Sequence, residues 1–66
     1  MNALDKPVRV TVIIPTLNAA AWVPELIARL KSQSLPPAEV LVIDSTSSDG
    51  TAELAAAHGA RVVTVA

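Results

Sequence analysis

Cysteine, phenylalanine and tyrosine are absent from these 66 residues, and tryptophan and histidine occur once each. Without cysteine there is no disulfide framework and no thiolate metal site. A lone His58 cannot build a zinc centre either. Charge of one sign is also missing: five basic residues face six acidic ones, for a formal net charge of −1. With no basic stripe and a single ring, Trp22, for stacking, a nucleic-acid-binding module is excluded. No apolar run approaches the roughly 20 residues of a membrane helix. The polar start, Met1 to Pro7, lacks the apolar core of a signal peptide. A soluble, cytoplasmic chain is expected, lying at the cytoplasmic face of the membrane if a longer parent protein is membrane-bound. Short catalytic signatures are missing as well. There is no G-x-G-x-x-G after an apolar strand and no G-x-x-x-x-G-K-[ST] phosphate loop. His58, followed by Gly59, reads as a helix-end residue rather than a catalytic base.

What is present is apolar. Hydrophobic residues make up 52% of the chain, mostly Ala, Val, Leu and Ile. A chain of this size buries only about 60% of its unfolded surface and is marginal alone. Met1–Pro7 reads as a loosely held lead-in, and residues 8–66 as one incomplete domain. Val8 to Pro15 (VRVTVIIP) is the first expected strand, its continuous Val12-Ile13-Ile14 suiting a parallel strand covered on both faces. Pro15 cannot donate to a ladder and is expected to end it. Asn18 is a candidate helix N-cap, and Pro24 falls in the first turn, where proline is tolerated. Trp22, Val23, Leu26, Ile27 and Leu30 then form one stripe at spacings of three and four, facing a sheet. Ser32 to Ala38 connects to a second strand, Glu39 to Asp44. Asp49 is a candidate cap for an Ala-rich helix from Thr51 to about His58, ended by Gly59 in a left-handed conformation. Arg61 to Val65 is a third strand. The order β-α-β-α-β, with right-handed crossovers, predicts an α/β fold with a parallel sheet in the order 3-2-1 and both helices on one face. The other face and the free edge of the first strand would need cover, so self-association through them is expected.

Ligands of open α/β sheets collect beyond the carboxyl ends of the strands. Two loops open there, Pro15 to Asn18 and Asp44 to Asp49, where polar residues abruptly follow apolar runs. Asp44 can accept from a ribose hydroxyl or a base N–H, and Ser45, Thr46 and Ser47 can make neutral contacts. Asp and Ser are equally suited to organising a turn and capping a helix. From the residues alone both readings stand.

The stretch VTVIIPTLNA, the connection Gln33-Ser34-Leu35-Pro36, the run VLVIDSTSSDGT and the later GARVV occur in the order and spacing of a known pattern. They resemble the opening of family 2 glycosyltransferases of GT-A fold, from about Val8 to Val65. The resemblance implies the β-α-β-α-β half of a Rossmann-like domain that binds a nucleotide-diphospho-sugar donor, in an inverting enzyme of cell-envelope polysaccharide assembly. It further implies donor nucleotide contacts at Pro15, Thr16 and Leu17 in the first loop and at Asp44, Ser45, Thr46 and Ser47 in the second. Two departures stand out: Ser45 occupies the position of a frequent second carboxylate, and Leu17 that of a frequent aromatic. Asp44-Ser45-Thr46-Ser47 is similar to an acidic-loop variant of rhamnosyltransferase-like members, which implies a deoxythymidine-linked sugar as one option. The resemblance also implies a divalent metal, Mg or Mn, on an acidic D-x-D motif, and a carboxylate general base. Neither motif lies within these residues, so no catalytic residue or metal ligand is expected here and the segment alone is expected to be inactive. A stand-alone nucleotide-binding or interaction module, and a generic Rossmann-like half for another nucleotide, are the alternative readings.

Overall fold

A computed structural model describes residues 9–66. The expected lead-in, Met1–Pro7, and the first residue of the expected first strand, Val8, lie outside the described residues. Five elements follow one another: β1 (Thr11–Thr16), α1 (Val23–Lys31), β2 (Glu39–Asp44), α2 (Thr51–Ala57) and β3 (Arg61–Thr64). The strands form one parallel sheet in the order β1-β2-β3, which read from the opposite edge is 3-2-1. Among the described residues no helix is long and apolar enough to cross a membrane.

β1 does not stop at Pro15 but runs through it to Thr16. The reason is its place at the sheet edge. The carbonyls of Val10 and Thr16 accept from Ala38 and Ser45, so the even-numbered residues bond towards β2. Pro15 faces the free edge, where its missing N–H leaves no ladder bond unmade.

The pleat divides the sheet into two unlike faces. Ile14, Val40 and Val42 point to one side and pack with Ala19, Val23, Ile27, Ala55 and Ala60 into the core, flanked by Val12, Leu26, Leu30 and Val62. Both helices therefore cover the same face. On the opposite face lie Ile13, at 58% exposure, and Val63, at 40%. The half-buried Leu41 and Ile43 sit between them in register.

Helix α1 begins later than an N-cap at Asn18 would require. Its N-cap is Trp22, with no side-chain cap bond and Pro24 in the first turn. A preceding turn, in which the Ala19 carbonyl accepts from Trp22 and Val23, fills the interval. Asn18 instead adopts a left-handed backbone, φ 51°, which suits Asn better than most side chains. Placing Trp22 at the cap also takes it off the core stripe. It is 47% exposed and shares the outer surface with Glu25, Leu26 and Arg29. The end of α2 has a Schellman arrangement around Gly59 (φ 95°), with Gly59 N–H donating to Ala56 and Ala60 N–H to Ala55.

The two faces should respond differently to truncation. Ile27→Ala removes a side chain that is 1% exposed and is expected to cost about 2–5 kcal/mol. Ile13→Ala, on the face left open in the single chain, should cost no more than about 0.5 kcal/mol at dilutions where the chain is monomeric. Urea unfolding of the two variants measures the difference; equal losses would show that the second face is covered.

Candidate functional site

Both carboxyl-end loops leave the sheet side by side because β1 and β2 are paired up to Thr16↔Asp44. The pleat then sorts their residues. Thr16 and Asp44 fall on the helix-covered face and are buried, at 4% and 1% exposure. Their neighbours Pro15, Leu17 and Ser45 are exposed. The seven candidate residues are thus brought to one edge of the molecule but in two layers, one interior and one at the surface.

The interior layer is a hydrogen-bonded unit around Asp44. Its Oδ1 accepts from the Thr16 hydroxyl at 2.7 Å and from the Ser47 hydroxyl at 2.6 Å. Oδ2 accepts from the Ser47 backbone N–H at 2.8 Å. The Ser47 hydroxyl oxygen in turn accepts from Asn18 N–H at 2.8 Å, and Asn18 Oδ1 accepts from Ser48 N–H at 2.9 Å. The two loops are therefore zipped by bonds running in both directions. Asn18, expected from the sequence as a helix cap, and Ser48 are not among the nucleotide contacts that the resemblance implies. The usable signal was Asn in a short strand-to-helix loop, a residue type that tolerates left-handed backbone.

A second carboxylate ties the same loops further back. Asp49 Oδ1 accepts from the Thr51 backbone N–H and from the Thr51 hydroxyl. Its Oδ2 accepts from Ala20 N–H at 3.0 Å, while the Thr51 oxygen accepts from Ala19 N–H at 2.9 Å. The N-cap of α2 is Gly50, in a left-handed conformation, not Asp49. Asp49 nonetheless satisfies the N–H of the first helical residue and spends its other oxygen on the first loop.

Thr46 is the strained member. Its φ of 52° is uncommon for a β-branched residue and costs on the order of 1–3 kcal/mol. Its hydroxyl donates to the Val65 carbonyl at 2.7 Å, and Val65 N–H donates to the Asp44 carbonyl at 2.8 Å. The turn is thereby pinned to the end of β3.

The ion pairs among the described residues are Glu25–Arg29 and Glu39–Arg61. Asp44 and Asp49 are thus stabilised by hydrogen bonds rather than by cations. No group of three or more His, Cys, Asp or Glu residues lies together among the described residues. The hydroxyl of Ser47, then that of Thr16 and the Ser47 N–H, hold the Asp44 carboxyl below its ordinary pKa against the opposing effect of burial. The Thr51 hydroxyl and the Ala20 N–H do the same for Asp49.

A depressed folded-state pKa contributes stability that is present above the unfolded value, about 3.9 for Asp, and is lost as pH falls through the folded value. The thermal midpoint is expected to be level above about pH 5 and to drop as pH falls below about 4. Asp49→Asn should show a shallower drop. Circular dichroism melts across this range provide the check, and identical profiles for the two proteins would contradict it.

The loops, sheet and helices match known proteins as a unit. The family model described as "Glycosyl transferase family 2" matches residues 11–65. The O-antigen chain rhamnosyltransferase RfbN of Salmonella typhimurium is 43% identical over 47 residues, 71% of this chain and 15% of that protein. Glycosyltransferase AglJ of Haloferax volcanii is 42% identical over 60 residues, 91% of this chain and 19% of its own length. The chain thus spans less than a quarter of these curated relatives. Among solved structures, mannosyl-3-phosphoglycerate synthase from Rubrobacter xylanophilus superposes with a TM-score of 0.78 at 34% identity, over 85% of this chain and 19% of that one. Glucosyl-3-phosphoglycerate synthase from Mycobacterium tuberculosis, solved with Mn2+, uridine diphosphate and glucosyl-3-phosphoglycerate, gives 0.72 at 36% identity, over 85% of this chain and 20% of its own. With the family model covering nearly the whole described sheet and both loops, this chain belongs to glycosyl transferase family 2.

Proposed function

We propose that this segment binds the nucleotide of a nucleotide-diphospho-sugar donor, and that the whole protein passes the sugar, with inversion, to an acceptor hydroxyl. The observation that carries this reading is the pairing of the 15–18 and 44–49 loops into one hydrogen-bonded unit at the carboxyl edge of a parallel sheet, where open α/β sheets receive ligands. Pro15, Thr16 and Leu17 from the first loop and Asp44, Ser45, Thr46 and Ser47 from the second make up the donor site. The glucosyl-3-phosphoglycerate synthase structures that hold uridine diphosphate or UDP-glucose support the substrate class. A neutral Ser45 and the relative named as an O-antigen rhamnosyltransferase support a deoxythymidine-linked sugar as one donor and a cell-envelope polysaccharide as product.

On this reading, residues 8–66 are the N-terminal part of a GT-A domain, and the remaining catalytic groups lie outside them. A divalent ion, Mg or Mn, would offset the charge of the leaving diphosphate, as the Mn2+ of the synthase structure suggests. Asp44 and Asp49, the carboxylates of the two loops, are committed to backbone and hydroxyl donors, so on this reading the metal ligands belong elsewhere. The same holds for the base that takes the acceptor proton. The 66-residue chain then binds without transferring.

Titration of the isotopically labelled chain with uridine and deoxythymidine diphosphates, followed by amide NMR, tests the donor site. Shifts concentrated at residues 15–18 and 44–49 are expected, with affinity on the order of millimolar for so small a contact. Shifts elsewhere, or none with either nucleotide, would favour an interaction module without a nucleotide.

The open sheet face bears on the isolated chain in a second way. Ile13, Leu41, Ile43 and Val63 form a contiguous apolar surface bounded by strand edges that pair with nothing among the described residues, and we propose that a second copy of the chain covers it. Sedimentation velocity should show mass rising with concentration, and the paired substitution Ile13→Lys and Val63→Lys should return the chain to monomer. A wild-type chain that stays monomeric at millimolar concentration would rule this out.

A further inference from the structure

We propose that Asp44 is a positioning residue of the donor site: it holds the 15–18 and 44–49 loops in one arrangement through Thr16 and Ser47, without itself meeting the ligand. The inference rests on the donor-site reading for its functional meaning, but its structural content stands on the geometry of the loops.

Three observations carry it. Asp44 is 1% exposed, and three donors already occupy its oxygens. A carboxylate offers about four acceptor positions, so little capacity remains for a ligand. The one open position is on Oδ2 of a side chain with 1% exposure, so meeting a ribose hydroxyl or base N–H would mean turning the carboxylate outward and releasing Thr16 or Ser47. The hydroxyl of Thr16, itself 4% exposed, would then be left buried without a partner, which is the costly arrangement for a polar group.

The second observation is direction. Asp44 and Thr16 sit on the helix-covered face of the pleat, whereas Pro15, Leu17 and Ser45 alternate to the exposed side. A ligand lying along the loops meets the latter set first. The third is the relay itself. Asp44 orients the Ser47 hydroxyl, that oxygen receives the Asn18 N–H, and the Asn18 side chain receives Ser48. A charged acceptor at the head of such a chain polarises the following bonds. Removing the charge is therefore felt at Asn18 and Ser48, to which the Asp44 carboxylate makes no hydrogen bond of its own.

Asp44→Asn and Thr16→Val separate positioning from contact. Asparagine retains one acceptor oxygen but replaces the other with an NH2, which must face either the Ser47 N–H or the Thr16 and Ser47 hydroxyls. Valine removes one donor while leaving the Asp44 carboxylate intact and less encumbered. Hydrogen exchange without ligand is expected to quicken at Asn18 and Ser48 in both variants, by about tenfold, with far-UV circular dichroism unchanged. In the nucleotide titration both variants should weaken binding to a similar degree, and the double variant should be no worse than either single one.

Unchanged exchange at Asn18 and Ser48 in both variants would overturn the proposal whatever the nucleotide does. So would a Thr16→Val chain that binds as tightly as wild type beside an Asp44→Asn chain that does not bind, since that pattern marks direct contact. If Asp44→Asn fails to fold, Thr16→Val with Ser47→Ala decides the matter by the same exchange measurement. A wild-type chain that binds neither uridine nor deoxythymidine diphosphate defeats the donor reading alone, and exchange still decides the role of Asp44.

Discussion

A buried carboxylate held by hydrogen bonds, and in no ion pair among the described residues, shapes the functional end of this molecule. Asp44 ends the central strand, where the sheet offers most burial, and charge in such a place is tolerated only with its acceptor positions filled. The donors that fill them come from the neighbouring strand and from the following turn. Satisfying one ion therefore fixes the position of two loops. Asp49 repeats the device a few residues on, drawing the start of α2 to the turn before α1. With Thr46 pinned to the carbonyl beyond β3, the carboxyl edge is held by hydrogen bonds of side chains to one another and to backbone.

Stability and function come from different parts of so small a chain. The core is one layer of Val, Ile and Ala side chains between the sheet and two short helices. The opposite sheet face contributes apolar surface without receiving cover among the described residues. The loop ties carry no large apolar burial, and their contribution fades with acid in a way the core's does not. The site is thus most sensitive to changes that leave the helices intact.

Much of the fold was legible because periodicity and punctuation agree. The bounds of β2 were read residue for residue, since an apolar run between Pro36-Pro37 and the polar 45–49 loop has little room to slip. Pro24 and Gly59 stand where helix chemistry puts them. The misses have physical causes. Pro15 does not end β1, because an edge strand forgives a missing donor on its free side. Trp22 leaves the core stripe, because the helix starts one turn later than Asn18 implied. At the site, the sequence brought out the two loops and both carboxylates but could not show which oxygens were already spent. Alternation along β1 and β2 held part of that answer, assigning Thr16 and Asp44 to one face and Ser45 to the other. The reciprocal bonds of Asn18, Ser47 and Ser48 depend on three-dimensional register across about thirty residues of chain and left no local trace.

The most direct test of the account is a crystal structure of the chain grown with uridine or deoxythymidine diphosphate. The expected result is a nucleotide seated across the 15–18 and 44–49 loops, on the side of Pro15, Leu17 and Ser45, with the bonds from Thr16 and Ser47 to Asp44 unchanged. A nucleotide bound away from these loops, or an Asp44 carboxylate turned outward to hold it, would contradict it.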